Sequence, residues 1–171
     1  MMVAVTDQIV IRQVTHNDLP ALEWEGQYKH FRRLFKYAFQ RAREGKAVLW
    51  IAELPGEGLI GQIFVQLVTH RRDLADGKAR AYIYAFRVRP EHRGEGLGTL
   101  LLDTVEKDLR ARGFKRVCLN VGQDNLDARR LYERLGYSVV ASEAGIWSYI
   151  DHRGRHRQVH EPAWRMEKEI K

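Results

Sequence analysis

Residues 86–99 concentrate the chemistry of this sequence: Phe-Arg-Val-Arg-Pro-Glu-His-Arg-Gly-Glu-Gly-Leu-Gly-Thr. The pattern is that of a strand end, a turn and a glycine-rich approach to an amphipathic helix. Gly94, Gly96 and Gly98 bring no side chain that would hold a ligand away from the backbone. A helix that opens here leaves its first N–H groups without intrahelical acceptors. With the helix dipole behind them, those donors suit a phosphate or diphosphate. A P-loop requires Gly-Lys followed by Ser or Thr, whereas Gly98 is followed directly by Thr99. A dinucleotide fingerprint requires Gly-x-Gly-x-x-Gly and an acid about 20 residues further on. Its third glycine would fall on Thr99 or Leu101, and Cys118 and Leu119 stand where the acid belongs. Nicotinamide and flavin ligands are therefore disfavoured.

A second patterned stretch follows, Asn125-x-x-Ala128-x-x-Leu131-Tyr132-Glu133-Arg134-Leu135-Gly136-Tyr137. Ala128, Leu131, Tyr132 and Leu135 share one helical stripe, the pattern of a core-facing surface, and Asn125 is a good N-cap. Arg93-Gly94-Glu95-Gly96-Leu97-Gly98 fits Arg/Gln-x-x-Gly-x-Gly/Ala. Together with the strand Ala81–Val88 before it and the Asn-x-x-Ala-x-x-Leu-Tyr helix after it, this loop resembles the two signatures of the GNAT acetyltransferase superfamily. The likeness spans roughly residues 80–140.

That resemblance implies acetyl-CoA as cosubstrate and no metal. Its diphosphate is expected on the backbone of Arg93, Gly94, Glu95, Gly96, Leu97, Gly98 and Thr99, with the Arg93 side chain adding a charge-assisted contact. Glu95 fits such a site only with its carboxylate turned to solvent. The pantetheine arm is expected along the main chain of Phe86, Arg87 and Val88, with a further hydrogen bond from Asn125, and an N–H near Val88 would polarise the thioester carbonyl. Tyr132 matches the tyrosine that protonates the departing thiolate, a role favoured here over plain core packing. Similar proteins place a basic glutamate at positions that are Tyr84 and Asn120 in this chain. Glu25, His30, His70 and Glu143 remain as candidates, none singled out, and bulk water is a further route for the proton.

Size and composition fit one domain across 1–171 with a proper core. The chain has 171 residues, 44% hydrophobic and 30% charged. No apolar run approaches the ~18–20 residues of a membrane helix, and Met1–Asp7 has no signal-peptide pattern. A cytoplasmic protein that does not engage the membrane is expected. The single cysteine, Cys118, excludes an intrachain disulfide and lies mid-strand, the setting of a small core residue. A formal charge of +7 and a pI near 9.7 suit a ligand with several phosphates. Nucleic acid is a minor alternative, since the basic residues lack aromatic interleaving and one cysteine rules out zinc-finger spacing.

The elements that must position these residues run β-α-α-β-β-β-α-β-α-β-β. Ile9–Val14 reads as a first strand and Thr15–Asp18 as a cap with Pro20 just inside a short helix. Phe31, Leu34, Phe35, Ala38, Phe39 and Ala42 form the stripe of a second helix ending at Glu44-Gly45. Ala47–Leu54 and Leu59–Val68 form a hairpin across Pro-Gly-Glu-Gly. The helix after the glycine loop is expected to bury Leu97, Leu100, Leu101, Val105 and Leu109 and to stop near Gly113. Two long strands, about Tyr137–Ile150 and Gln158–Lys168, close the chain around a solvated tip, Asp151–Arg157. The fold class is α/β or α+β. The family resemblance implies a mostly antiparallel sheet of about seven strands, flanked by about four helices, with a parallel pair beside the cofactor.

The acceptor is expected among Trp24, Glu25, Tyr28, Phe31, Phe35, Trp147, Tyr149 and Trp164, where ring faces and a carboxylate would suit a cationic amine; for Phe31 and Phe35 core packing is favoured. The function expected is N-acetyl transfer to a primary amine, on a small molecule or a protein, by direct attack in a ternary complex. A covalent route through Cys118 is disfavoured because no base adjoins it. An acyl-CoA-binding regulatory module without turnover is the alternative. Dimers are common among similar proteins, so a homodimer is a further expectation.

Overall fold

The computed structural model describes residues 8–171, so the signal-peptide question posed by Met1–Asp7 lies outside the described residues. Its centre is a seven-stranded sheet in the order β1-β2-β3-β4-β5-β9-β6. The strands are β1 Val10–Gln13, β2 Ala47–Leu54, β3 Gly58–Gln66, β4 Arg80–Val88, β5 Arg116–Gly122, β6 Ser138–Glu143 and β9 Ala163–Glu169. Only β4 and β5 run parallel; every other neighbouring pair is antiparallel. The α-helices are α1 Arg32–Arg43, α2 Leu97–Ala111 and α3 Leu126–Arg134, and a 3₁₀ helix covers His16–Glu23. Among the described residues, no helix is long and apolar enough to cross a membrane.

Each face of the sheet has its own cluster. Leu97, Leu101, Leu102, Val105 and Leu109 of α2 pack on Val48, Ile63, Val65, Ala81, Ile83 and Leu119. On the other face Phe35 and Ala38 of α1 meet Leu22, Leu49, Ile51 and Phe64. The expected α2 stripe is corrected at one position: Leu102 is fully buried, while Leu100 is only half-buried. The next turn on Leu102's side, Glu106, is also buried, so the covered face is wider than one i, i+4 row.

A bulge interrupts β4. Phe64 pairs with Tyr84 but Gln62 pairs with Arg87, so two residues of β4 face one of β3. Ala85 takes up the extra length at φ +48°, and its carbonyl accepts a hydrogen bond from the buried Gln62 amide at 3.3 Å. The insertion inverts the side-chain alternation. Ala81 and Ile83 face the α2 cluster before it, and Phe86 and Val88 face that same cluster after it. Arg87 is thereby turned to the α1 face, over Tyr28 and Phe31.

The two long terminal strands are a correction. Each breaks in the middle, and the outer halves, β7 Ile146–Ile150 and β8 His156–His160, form a separate two-stranded ribbon. Gly145 turns at φ +68°, where a Cβ would run into the Glu161 carbonyl, and Pro162 follows on the partner strand. The tip is corrected too, at Asp151. Only 1% exposed, it accepts from the N–H groups of Arg153 and Arg155 and from Arg157, each at 2.9 Å.

Leu101 has no exposure and contacts the sheet where β3 has Gly61, against whose missing Cβ the Leu97 and Leu101 methyls lie. Leu101→Ala is expected to lower the unfolding free energy by about 2–5 kcal/mol in urea. A loss below about 1 kcal/mol would show that α2 does not anchor this face.

Candidate active site

The site begins where β4 and β5 part. Their pairing runs from Arg80↔Arg116 to Ile83↔Leu119 and stops there. Arg89 gives its N–H to the Ile60 carbonyl at 2.9 Å. By strand alternation the N–H groups of Phe86 and Val88 then point to the opposite edge, where β5 has diverged. β5 is meanwhile held by β9 along its full length, from Arg116↔Glu169 to Gly122↔Ala163. A wedge-shaped gap with an open main-chain edge is the result.

The glycine loop closes the wide end of that gap. Gly94 and Gly96 have φ of +80° and +83°, conformations costly for any residue with a Cβ. Gly96 is the N-cap of α2, and Leu97 is driven into the core as its first turn. Among the described residues, no backbone or side-chain group accepts from the N–H groups of Gly94, Glu95 or Gly96. Gly98 serves closeness instead: a Cβ there would lie 3.6 Å from the Phe86 ring and 3.9 Å from Leu131. Thr99 is exposed on the same turn. These donors and the helix terminus fit the diphosphate that the sequence implies, and so does the cradle's freedom from side chains.

Arg93 lies across the loop with its Nε on the Val88 carbonyl at 3.1 Å, which leaves its terminal amino groups outermost. Glu95 does not simply face solvent. Its carboxylate is drawn back to His92 Nδ1 at 3.3 Å, while His92 Nε2 meets Glu57 at 2.6 Å. Burial pushes the His92 pKa down, but the hydrogen bonds with Glu57 and Glu95 outweigh it and hold the imidazole above its usual value. This bracket escaped the sequence because Glu57 lies in the β2–β3 turn, far along the chain from the loop.

α3 brings Tyr132 to the gap. Asn125 caps the helix, accepting from Ala128 N–H at 3.2 Å. The Tyr132 ring lies 6.3 Å from Phe86 and 6.0 Å from Tyr137. Burial pushes its phenol up to about 12, so it keeps its proton at neutral pH. Among the described residues, its hydroxyl has no hydrogen-bond partner, whereas the neighbouring Tyr137 hydroxyl is committed to Glu106 at 3.1 Å. Glu106 also holds Lys168 at 2.7 Å.

The proton-acceptor candidates separate. Glu25 is clamped by Arg89 at 2.8 and 3.0 Å, and Glu143 is shared by Arg71 and Arg165. His70 is exposed beside Thr69. Asn120 is exposed on β5, and Tyr84 is a buried phenol, pushed up by that burial and set edge-on to Phe64 at 5.6 Å. His30 alone lies among the acceptor-side rings, 4.2 Å from Phe31 and 6.1 Å from Tyr149. Burial, and then the charges of Arg87, His152 and Arg157, hold it below the usual histidine range, so it is neutral at pH 7.

Tyr28, Phe31, Trp147 and Tyr149 do assemble, with Phe31 stacked 6.2 Å from Trp147 and tilted 5.1 Å from Tyr149. Phe35 is core, as expected. Trp24, buried beneath Arg89, meets the Tyr28 ring edge-on at 5.2 Å, whereas Trp164 packs on the α2 face, away from these rings.

Residues 12–137 match the Acetyltransferase (GNAT) family. The chain is 37% identical over 110 residues to the mycothiol acetyltransferase of Beutenbergia cavernae, covering 61% of this chain and 34% of that protein. It is 35% identical over 94 residues to N-alpha-acetyltransferase 40 of Saccharomyces cerevisiae, covering 47% and 33%. The chain thus spans about a third of the length of these curated relatives. Among solved structures, Arabidopsis thaliana NAA60 in complex with a bisubstrate analogue superimposes with a TM-score of 0.69. That match has 23% identity and covers 95% of this chain and 99% of the other, a likeness of fold.

Because the folded state raises the His92 pKa above 6.5, the bracket contributes fully below that pH and fades as pH rises through the folded value. The Tm difference between wild type and His92→Gln is therefore expected to be larger near pH 6 than near pH 9. A gap that stays constant across this range would show that the charge on His92 is irrelevant.

Proposed function

The chain belongs to the acetyltransferase (GNAT) family, and from that premise we propose that it moves an acetyl group from acetyl-CoA to an amine by direct attack in a ternary complex. The observation that carries this is the open main-chain edge of β4 running into the free N–H groups of the glycine loop. Acetyl-CoA supplies an activated thioester, and this chain's work is to hold it and manage charge. Gly94, Glu95 and Gly96 receive the diphosphate on main-chain donors, with Leu97, Gly98 and Thr99 in the first turn behind them and Arg93 as a charged flank. Phe86, Arg87 and Val88 present the strand along which the pantetheine arm lies, and Asn125 meets the arm from the start of α3. The Val88 N–H stabilises the negative charge that builds on the carbonyl oxygen as nitrogen attacks. When the carbon–sulfur bond breaks, Tyr132 gives its phenolic proton to the sulfur. His30, neutral and on the acceptor side, is placed to take the proton lost by the amine.

Direct attack is also favoured by Cys118. Its thiol is 1% exposed, donates to the Leu74 carbonyl at 3.3 Å and is pushed by burial up to about 12. Such a group is a poor nucleophile. We place the chain in the cytoplasm as one catalytic domain, acting on amines of small molecules or proteins.

Acetyl-CoA is expected to raise the Tm of the wild type, and Gly96→Val to abolish that shift while the fold persists. Tyr132→Phe is expected to keep the shift and lower kcat by about 100-fold or more, read as CoA release. An unchanged kcat removes Tyr132 from the chemistry. A thermal shift without CoA release from any amine points instead to an acyl-CoA-binding module.

A further inference from the structure

Among the described residues, Arg87 makes no ion pair at the acceptor mouth. The Ala85 bulge turns it to the α1 face, where its guanidinium carbon lies 4.3 Å from the Tyr28 ring centre and 5.4 Å from that of Phe31. Its Nη1 is buried with no hydrogen-bond partner among the described residues. Burial is the main influence on this group and lowers its pKa; Tyr28 and Glu161 only partly oppose that. A buried guanidinium left without an anion is costly, and two ring faces offset only part of that cost.

Three carboxylates around the mouth are already taken, and the exposed Glu161 acts on Arg87 through its charge without forming an ion pair with it. Glu23 is held by Arg32 at 2.8 and 2.9 Å, Glu25 by Arg89, and Asp151 by Arg157 and two main-chain N–H groups. His30, Arg87, His152 and Arg157 lie close enough for the three others to depress the His30 pKa. Of the rings expected to hold a cationic amine, Tyr28 and Phe31 carry Arg87, and Glu25, the carboxylate expected beside them, is clamped by Arg89.

We propose that Arg87 binds a carboxylate on the acceptor, so that the substrate is an amine that also carries an acid group and not a polyamine. This rests on the acetyl-transfer function proposed above and names its substrate class. Val88, the next residue, is the one set to face the thioester carbonyl. An acid seated on Arg87 therefore holds its amine within a few bonds of the reacting carbon. Arg87 acts as a specificity residue, offering a forked donor to a planar anion.

Matched acceptors test it: β-alanine against β-alaninamide, and a short peptide with aspartate against the same peptide with asparagine at its second residue. The two pairs separate a free amino acid from a peptide as the source of the acid. With wild type, the acid member of at least one pair should show about tenfold or more higher kcat/KM, chiefly through KM. Spermidine should be a poor acceptor. Arg87→Gln should bring the ratio near one, Arg87→Lys should restore part of it, and both should keep the acetyl-CoA thermal shift. Equal turnover of acid and amide in both pairs, a preference that survives Arg87→Gln, or efficient use of spermidine would overturn the proposal. If acetyl-CoA binds but no amine is turned over, the acetyl-transfer function fails on its own. Calorimetric binding of β-alanine and its amide to wild type and Arg87→Gln then decides the Arg87 assignment by the same ratio.

Discussion

Beyond Ile83 and Leu119 two parallel strands that began as neighbours stop pairing, and that loss of pairing governs the molecule. Main-chain polar groups seldom stay without partners away from water. β5 answers the demand by pairing with β9 to its end. β4 has β3 on one side and nothing on the other, so its second row of donors faces a gap. The glycine loop extends the same condition around the corner, because the N–H groups of Gly94, Glu95 and Gly96 also lack acceptors among the described residues. A continuous track of main-chain donors follows, suited to a long ligand with an amide-bearing arm and a diphosphate.

The two faces of the sheet divide the remaining work. On one, α2 and α3 supply a helix start with unpaired N–H groups before it, a packed floor of leucines and a tyrosine whose proton stays on at neutral pH. On the other, α1, the loop before it and the β7–β8 ribbon gather aromatic rings and an excess of positive charge. Glu23, Glu25 and Asp151, which might have balanced that charge, are held by local arginines. His92 applies similar economy at the loop, drawing back the one carboxylate that would repel an anion there.

Much of this was legible in the order of residues, for local reasons. Alternating glycines before an apolar stripe, Asn125 ahead of Ala128, and Pro-Gly-Glu-Gly between two apolar runs each state their geometry within a few positions, and the structure has a loop, a capped helix and a hairpin there. The break of the last two strands was not legible, because it arises from Gly145 and the Glu161-Pro162 step meeting across a ribbon. Pairings between distant segments were equally silent: Glu57 with His92, Glu106 with Tyr137 and Lys168. The orientation of Arg87 was missed for a subtler reason. Its neighbours read as an ordinary alternating strand, and only the extra residue at Ala85 reveals which way it turns.

That extra residue makes the faces of the strand's last side chains depend on a single bend. Loops such as Thr69–Ala79 tolerate a change of length, since the strands on either side can keep their register. At the bulge, losing Ala85 would leave Phe86, Arg87 and Val88 on their present faces, whereas flattening the strand with every residue retained would flip them, sending a guanidinium into the leucines under α2 and a phenylalanine to the acceptor mouth. What this stretch must preserve is therefore the bend itself, which Ala85 makes with its positive φ and its carbonyl on Gln62.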